Sequence, residues 1–376
     1  MSTPLKIVAD QQITQAKEAF APFGDLQLFD GRKITANDLI NADVLLVRSV
    51  TQVNEALLAN TAVKFVGSAT AGVDHVDTEY LQANNICFHY APGSNARSVA
   101  EYVLTSLLYL AKESNFELQH KTLGIVGVGH VGSTLYELMA SLGVKCLLND
   151  PVRAEVDSTI DWVDIDQISQ ADIISFHVPL TEDVAYATRD MVNSGFLKKL
   201  KEDVIFINTS RGGIVRENDL LDFIAANAKA KLVLDVWQHE PLINEELLEK
   251  ATIATPHIAG YSFDGKLKAT CALQTILSAW SGIKCQVINA DQYEQYTIDA
   301  LPENDLLYHA ALLACDLLFD TTQLKHSITV KESQRGQFFD NLRKTYRVRR
   351  EFDQVLIKHE QHNAQLRKLG FRQLSQ

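Results

Sequence analysis

The chain has 376 residues, 46% hydrophobic and 22% charged, with 35 Lys+Arg against 47 Asp+Glu and a formal net charge of −12. This composition fits an ordinary globular protein of two or three domains and excludes collagen, coiled coil and global disorder. The acidic balance argues against a general nucleic-acid or membrane-surface binder; five scattered cysteines without a CxxC argue against a disulfide framework or zinc knuckle and point to a reducing cytosol.

Met1–Lys6 shows no basic segment leading into an apolar one, so no signal peptide is expected. No apolar run reaches the ~18–20 residues of a membrane helix. Leu5–Ala9, Val44–Val47, Lys64–Gly67 and Ile86–His89 read as buried strands, with helical stretches at Thr14–Phe20, Thr35–Asn41 and Glu55–Asn60 between them. This alternation predicts a parallel sheet covered on both faces. The turn cluster Pro92-Gly93-Ser94-Asn95 then opens Ser98–Lys112, apolar on most sides and so predicted as a buried connecting helix. A second alternating block follows, with strands predicted at Leu123–Gly127, Lys145–Asn149, Asp172–His177, Val204–Asn208, Lys231–Asp235 and Thr252–Ala254. Six strands with helices between them meet the requirement of a doubly wound dinucleotide-binding domain. Beyond residue 285 only Gly336 and Gly370 remain, and Lys331–Arg350 carries seven Lys/Arg against two Asp/Glu, which marks a third, smaller unit.

Residues 124–132 read G-I-V-G-V-G-H-V-G and contain G-x-G-x-x-G between a strand and a helix pattern. Gly127 allows the tight turn, Gly129 lets a pyrophosphate approach the backbone, and Gly132 lets helix and strand pack closely. The helix N-terminus supplies free N–H groups and a positive dipole end for phosphates. Asp150, eighteen residues after Gly132, ends the next strand. It is placed to bind ribose hydroxyls and repel a 2′-phosphate, favouring NAD over NADP, with Arg153 nearby as a counter-indication.

Ligands in such sheets bind at the carboxyl ends of strands, and three late strands there carry Arg211, Glu240 and His257. Oxidising an alcohol requires a base for the hydroxyl proton. His257 suits that role, Glu240 can orient its ring, and Arg211 offers a planar fork for a carboxylate. Singly, each residue also reads as a surface ion pair, a structural histidine or a turn residue. Jointly, beside a nucleotide motif, they read as an acid–base site.

These segments, with F-H-V-P-L at 176–180, I-N-T-S-R-G-G at 207–213, L-D-V-W-x-x-E-P at 234–241 and T-P-H-I-A-G at 255–260, resemble the D-isomer-specific 2-hydroxyacid dehydrogenase family. The resemblance implies an α/β fold: two doubly wound parallel-sheet (Rossmann/flavodoxin-like) domains plus a small α+β C-terminal dimerisation domain. It places the substrate domain at 1–95 and 262–285, the NAD-binding domain at 96–261 and the dimerisation domain at 286–376. It implies Arg211, Glu240 and His257 as the catalytic trio and no metal. Within the family, Val47–Thr51, Phe65–Asp77, Thr255–Tyr261 and Phe339–Glu351 are most similar to members acting on a phosphorylated four-carbon acid. That likeness implies NAD-dependent oxidation of a phosphorylated 2-hydroxyacid by a cytoplasmic homodimer, with no nucleic-acid or membrane partner. It further implies Ser49, Thr70 and Tyr261 as substrate contacts and Asp150, Asp235 and Gly260 as cofactor contacts. Relatives often carry Thr where Val178 stands and His where Asp190 stands, so neither position receives a side-chain role. The substrate's phosphate needs a basic anchor, and Arg48 sits beside the proposed substrate loop. The Arg343–Arg350 cluster reads first as a solvated or interface face, with reach to that phosphate, in its own or a partner subunit, as the alternative. The competing functions are oxidation of a three-carbon phosphorylated acid and NAD sensing by a corepressor-like protein.

Overall fold

Runs of two to six residues, most of them rich in Val, Ile, Leu and Phe, form the strands of two parallel sheets in the computed structural model, which describes residues 4–289, 292–358 and 364–373. Met1–Thr3, part of the N-terminal reading above, lie outside that range. The chain divides into two units, Met1–Asn95 with Ser262–Glu294 and Ala96–Tyr261 with Gln295–Gln376.

In the first unit, β1 (Leu5–Asp10), β2 (Gly24–Phe29), β3 (Val44–Val47), β4 (Phe65–Ser68) and β5 (Cys87–Tyr90) form one parallel sheet of order β2-β1-β3-β4-β5. Strand β2 escaped the sequence reading. Its Gly-Asp-Leu-Gln-Leu-Phe is only half-buried, as an edge strand can be, whereas β3 and β4 are buried throughout and β3 reads as an unbroken apolar run. The helix Thr78–Ala83, capped by the Asp77 side chain, is a second element that the sequence pattern does not predict. The helix Phe263–Ser281 begins on a Ser262 cap, with Oγ accepting from the Gly265 N–H at 2.8 Å. Its Leu273 and Leu277 share a core with Ile7, Val44, Leu46 and Phe65, which is why the chain returns to this unit.

In the second unit, β6 (Thr122–Val126), β7 (Lys145–Asn149), β8 (Ile173–Phe176), β9 (Ile205–Asn208), β10 (Lys231–Leu234) and β11 (Ile253–Ala254) make a parallel sheet of order β11-β10-β9-β8-β6-β7. A parallel bridge between Leu148 and Trp162 continues it beyond β7, so one strand of the usual dinucleotide fold is reduced to a single pairing. The direction of winding reverses between β6 and β8, which opens a crevice at their carboxyl ends.

The helix Ala96–Glu113 is buried on most sides, and the C-terminal region supplies the cover its sequence demands. There β12 (Tyr296–Ile298), β13 (Val355–Ile357) and β14 (Arg372–Gln373) form a three-stranded parallel sheet. Leu306, Ala310, Phe352 and Val355 share one core with Val99, Val103 and Leu107 of the helix. Polar contacts reinforce the join: Ser98 Oγ donates to Glu351 Oε1 at 2.9 Å, the Phe352 N–H donates to Glu101 Oε1 at 3.0 Å, and Arg97 donates to the Leu369 carbonyl. Among the described residues, no helix is long and apolar enough to cross a membrane.

Candidate active site

The glycine loop follows β6. Gly127 adopts a φ of +85°, and a Cβ on it would stand 2.7 Å from the His177 carbonyl oxygen. A Cβ on Gly132, in the first turn of the helix His130–Ser141, would stand 2.0 Å from the Gly127 carbonyl oxygen. Gly129 differs, since a Cβ there would meet no atom within 4 Å. Asp150 follows β7 directly and receives the Val128 N–H at 2.9 Å on Oδ2 and the Arg153 N–H at 3.1 Å on Oδ1. The Arg153 guanidinium, the counter-indication to NAD, turns back on the loop itself: it donates to the Val128 carbonyl, pairs with Asp157 at 3.1 Å and lies 5.3 Å from the Trp162 ring centroid.

A cavity of about 1300 Å³ opens here, lined by Gly127, Gly129, Asp150, Trp162, His177 and Val178 among others. His177 Nε2 lies 2.9 Å from Ser175 Oγ, while its Nδ1 is buried without a protein partner. Burial pushes the His177 pKa down to about 3, so the ring is neutral and offers hydrogen bonds without charge. Open space at Gly129, ribose-binding chemistry at Asp150 and an unsatisfied ring nitrogen fit a dinucleotide.

The acid–base residues stand on three loops of the same sheet edge. Asn208, the last residue of β9, shapes the first: its Oδ1 accepts the Ser210 N–H at 3.1 Å, and its Nδ2 donates to the Arg211 carbonyl at 3.0 Å. Gly212 follows so close to the Trp237 carbonyl that a Cβ would approach it to 2.0 Å, which seats the Arg211 loop against the segment leading to Glu240. Arg211 is half-buried, with Nη1 donating to the Ser210 carbonyl at 2.8 Å.

Glu240 Oε2 lies 2.8 Å from His257 Nδ1, and Glu240 Oε1 accepts the Trp237 N–H at 3.0 Å. Burial opposes ionisation of Glu240. The His257 charge and hydrogen bond, the Trp237 N–H and the Arg343 charge outweigh it and hold the carboxyl below its ordinary value. His257 itself has a φ of +57°, in the left-handed region that non-glycine residues occupy sparingly. Asp235, which is 1% exposed, anchors this turn. Its carbonyl accepts the His257 N–H at 2.7 Å, Oδ1 accepts Thr255 Oγ1 at 2.6 Å and the Ile258 N–H at 2.7 Å, and Oδ2 accepts the Ala259 N–H at 2.9 Å. Gly260 lies in the turn closed by the Tyr261 N–H on the Ile258 carbonyl at 2.8 Å.

Comparison with known proteins agrees with this geometry. The family model described as D-isomer specific 2-hydroxyacid dehydrogenase, NAD binding domain, matches residues 104–259, and one described as a domain of unknown function matches 287–370. The chain is 41% identical over 375 residues to the erythronate-4-phosphate dehydrogenase of Klebsiella pneumoniae (strain 342), covering 98% of each chain. It is 39% identical over 359 residues to that of Hahella chejuensis, covering 94% of each. The chain belongs to the erythronate-4-phosphate dehydrogenase family. Among solved structures, the NAD+-bound 3-phosphoglycerate dehydrogenase of Entamoeba histolytica matches with a TM-score of 0.63 at 24% identity, over 76% of this chain and 99% of that one. The D-lactate dehydrogenase of Aquifex aeolicus, complexed with NAD and lactic acid, matches with a TM-score of 0.61 at 24% identity, over 74% and 96%. These two likenesses establish the fold. The cofactor of the second unit is NAD.

Three of the family's remaining candidate residues lie at the carboxyl edge of the first unit's sheet. Arg48 follows β3 and pairs through Nε with the buried Asp10 at 3.0 Å; Ser49 beside it is exposed. Thr70 follows β4 and is held by a donated bond to the Gly72 carbonyl and a contact with Ser68 Oγ, both 2.7 Å. In the second unit, Tyr261 accepts from Arg343 Nη2 at 2.9 Å.

Three site residues received no individual role from the sequence. Tyr102, on the helix Ala96–Glu113, reaches Thr255 Oγ1 with its hydroxyl at 2.7 Å. Arg349 donates from Nη2 to both the Ser98 and Ala259 carbonyls at 2.8 Å, tying the C-terminal region to the His257 loop. Arg343 is the third. The Lys331–Arg350 charge density was the available signal for the two arginines; Tyr102 is indistinguishable in sequence from its apolar neighbours.

Proposed function

We propose that this chain oxidises 4-phospho-D-erythronate to 2-oxo-3-hydroxy-4-phosphobutanoate with NAD+, a step in pyridoxal 5′-phosphate formation. The observation that carries the reading is the 2.8 Å contact between His257 Nδ1 and Glu240 at the sheet edge that also bears the NAD loop, in a chain of this family. When bound, NAD+ accepts the hydride from substrate C2. His257 takes the C2 hydroxyl proton on Nε2, because Nδ1 already faces Glu240. The C–H and O–H bonds break, a C=O bond forms, and the Glu240 carboxylate balances the resulting imidazolium. Arg211 binds the C1 carboxylate and the developing ketone oxygen through its fork of N–H groups. Gly127, Gly129, Gly132, Asp150 and Gly260 hold the cofactor; Asp235 contributes by fixing the loop that carries Gly260 and His257. Ser49, Thr70 and Tyr261 are assigned to the substrate, with Arg48 as the first candidate for its phosphate.

The same reading makes the chain a homodimer, supported by exposed Leu313, Phe319 and Val348 in the C-terminal region. Light scattering checks it: twice 41.9 kDa is expected, and a monomer mass removes the assignment.

The deciding assay follows NADH at 340 nm with 4-phosphoerythronate and 3-phosphoglycerate under identical conditions, with a 2-oxoacid present to recycle retained NADH. Preference for the four-carbon acid is expected. Preference for 3-phosphoglycerate, or silence with both, overturns the reading.

A further inference from the structure

The arginines of Lys331–Arg350 are not equivalent. Arg335 pairs with Glu245, Arg347 pairs with Asp320 and the Asp316 carbonyl, and Arg349 is taken up by the Ser98 and Ala259 carbonyls. Arg343 has no carboxylate within ion-pair distance among the described residues. Its Nη2 donates to the Tyr261 hydroxyl at 2.9 Å, and its guanidinium lies 5.5 Å from that ring's centroid. Its Nε is buried with no hydrogen-bond partner, the one buried arginine nitrogen in that condition among the described residues.

The surrounding groups explain why the charge is left over. The contact with Tyr261 places Arg343 beside the loop of the base, where its charge helps to keep Glu240 ionised, yet neither Glu240 nor Asp235 is available to it. Glu240 is taken by His257 and the Trp237 N–H; Asp235 is taken by Thr255, Ile258 and Ala259. Tyr261, four residues beyond His257, is steadied by an edge contact with Tyr346 at 6.1 Å and ties the guanidinium to the loop of the base. A guanidinium carries five N–H donors in a plane and matches a phosphoryl group two bonds at a time. The earlier candidate, Arg48, already neutralises the buried Asp10.

We propose that Arg343, of the same chain that carries His257, binds the substrate's phosphoryl group and is the residue that selects phosphorylated over unphosphorylated acids. The inference rests on the function proposed above: a substrate anionic at both ends needs two cations, and Arg211 serves the carboxylate.

The test compares wild type, Arg343→Met and Arg343→Lys on 4-phosphoerythronate and on unphosphorylated erythronate, with inorganic phosphate as a competing anion. Arg343→Met is expected to lower kcat/KM for the phosphorylated acid by ~100-fold, the scale of a lost charge-assisted fork. The loss on erythronate is expected to be at least ~10-fold smaller, because that acid has nothing for the fork to hold. Arg343→Lys, keeping charge without the fork, should recover part of the difference. Equal losses on both acids, with NAD affinity and melting temperature retained, overturn the proposal. If Arg343→Met fails to fold, the same ratio in Arg343→Lys decides. Calorimetric binding of inorganic phosphate separates this inference from the function itself. Should wild type oxidise neither phosphorylated acid, phosphate binding lost in the variant still supports an anion site at Arg343, and unchanged binding removes it.

Discussion

Two loops at the carboxyl edge of one sheet are built by opposite means. The loop after β6 takes its shape from side chains that are missing: Gly127 and Gly132 leave no room for a Cβ, and Gly129 leaves space unfilled. The loop after β11 takes its shape from side chains that are present but distant. Asp235 holds four of its hydrogen-bonding groups, Tyr102 meets its Thr255, and Arg349 holds its Ala259 carbonyl. The first loop binds a ligand through its backbone and needs only conformational freedom. The second must hold a base against a carboxylate to within tenths of an ångström, and that takes a scaffold.

The largest expected effect breaks the second loop at its centre. Asp235→Ala leaves Thr255 Oγ1 and the Ile258 and Ala259 N–H groups without their acceptor in a buried setting. A stability loss of about 3 kcal/mol or more is expected from donors stranded in this way, together with loss of activity. Denaturant melts check it; a variant as stable as wild type would show that the loop does not depend on Asp235. His257→Ala separates scaffold from chemistry. It should cost at least ~100-fold in kcat, the usual scale for a general base, with NAD binding kept and a stability loss of no more than about 1 kcal/mol from the broken pair with Glu240. Full activity in that variant removes the mechanism.

The glycine loop yields a finer contrast. Gly132→Ala places a methyl 2.0 Å from a carbonyl oxygen, so the backbone must move. A cost of about 1–3 kcal/mol is expected, with weakened NAD binding. Gly129→Ala meets nothing within 4 Å and should leave stability within about 0.5 kcal/mol of wild type while still weakening NAD. Calorimetry with NAD decides whether the space at Gly129 belongs to the cofactor; unaltered affinity in Gly129→Ala says that it does not.

The same contrast explains what the sequence reveals. Five of the six strands of the second sheet show as apolar runs because they are buried almost throughout, and β7, exposed at Lys145 and half-buried at Cys146 and Leu147, shows by its buried end. The glycine loop was visible because its requirement, no side chain at three fixed positions, is local. Arg211, Glu240 and His257 were visible because each follows a strand end. Strand β2 was hidden by its half-exposed edge position. Asp235 was read as a cofactor contact; that it organises the loop emerges only from the backbone groups around it. Tyr102 and Arg349 act across 153 and 90 residues of sequence, and no local pattern marks a pairing that tertiary packing alone creates.

The smallest expected effect concerns the pair that the second loop exists to hold. The Glu240 carboxyl is kept below its ordinary value of 4.5 against its own burial, by His257 above all. A carboxyl with a lowered folded pKa adds stability that is present above about pH 4.5, where the unfolded chain also ionises, and is lost as pH falls through the folded value. Glu240→Gln cannot ionise and lacks this contribution. The melting curves of wild type and Glu240→Gln should therefore differ at pH 7 by on the order of 1 kcal/mol, the size of a partly exposed ion pair, and converge as the pH is taken below 4.5. A difference that stays constant from pH 7 to pH 4 would mean that Glu240 supports His257 through shape alone. The orienting role would survive, but its charge would have no part in stabilising the imidazolium, and the mechanism would then need another anion beside the ring.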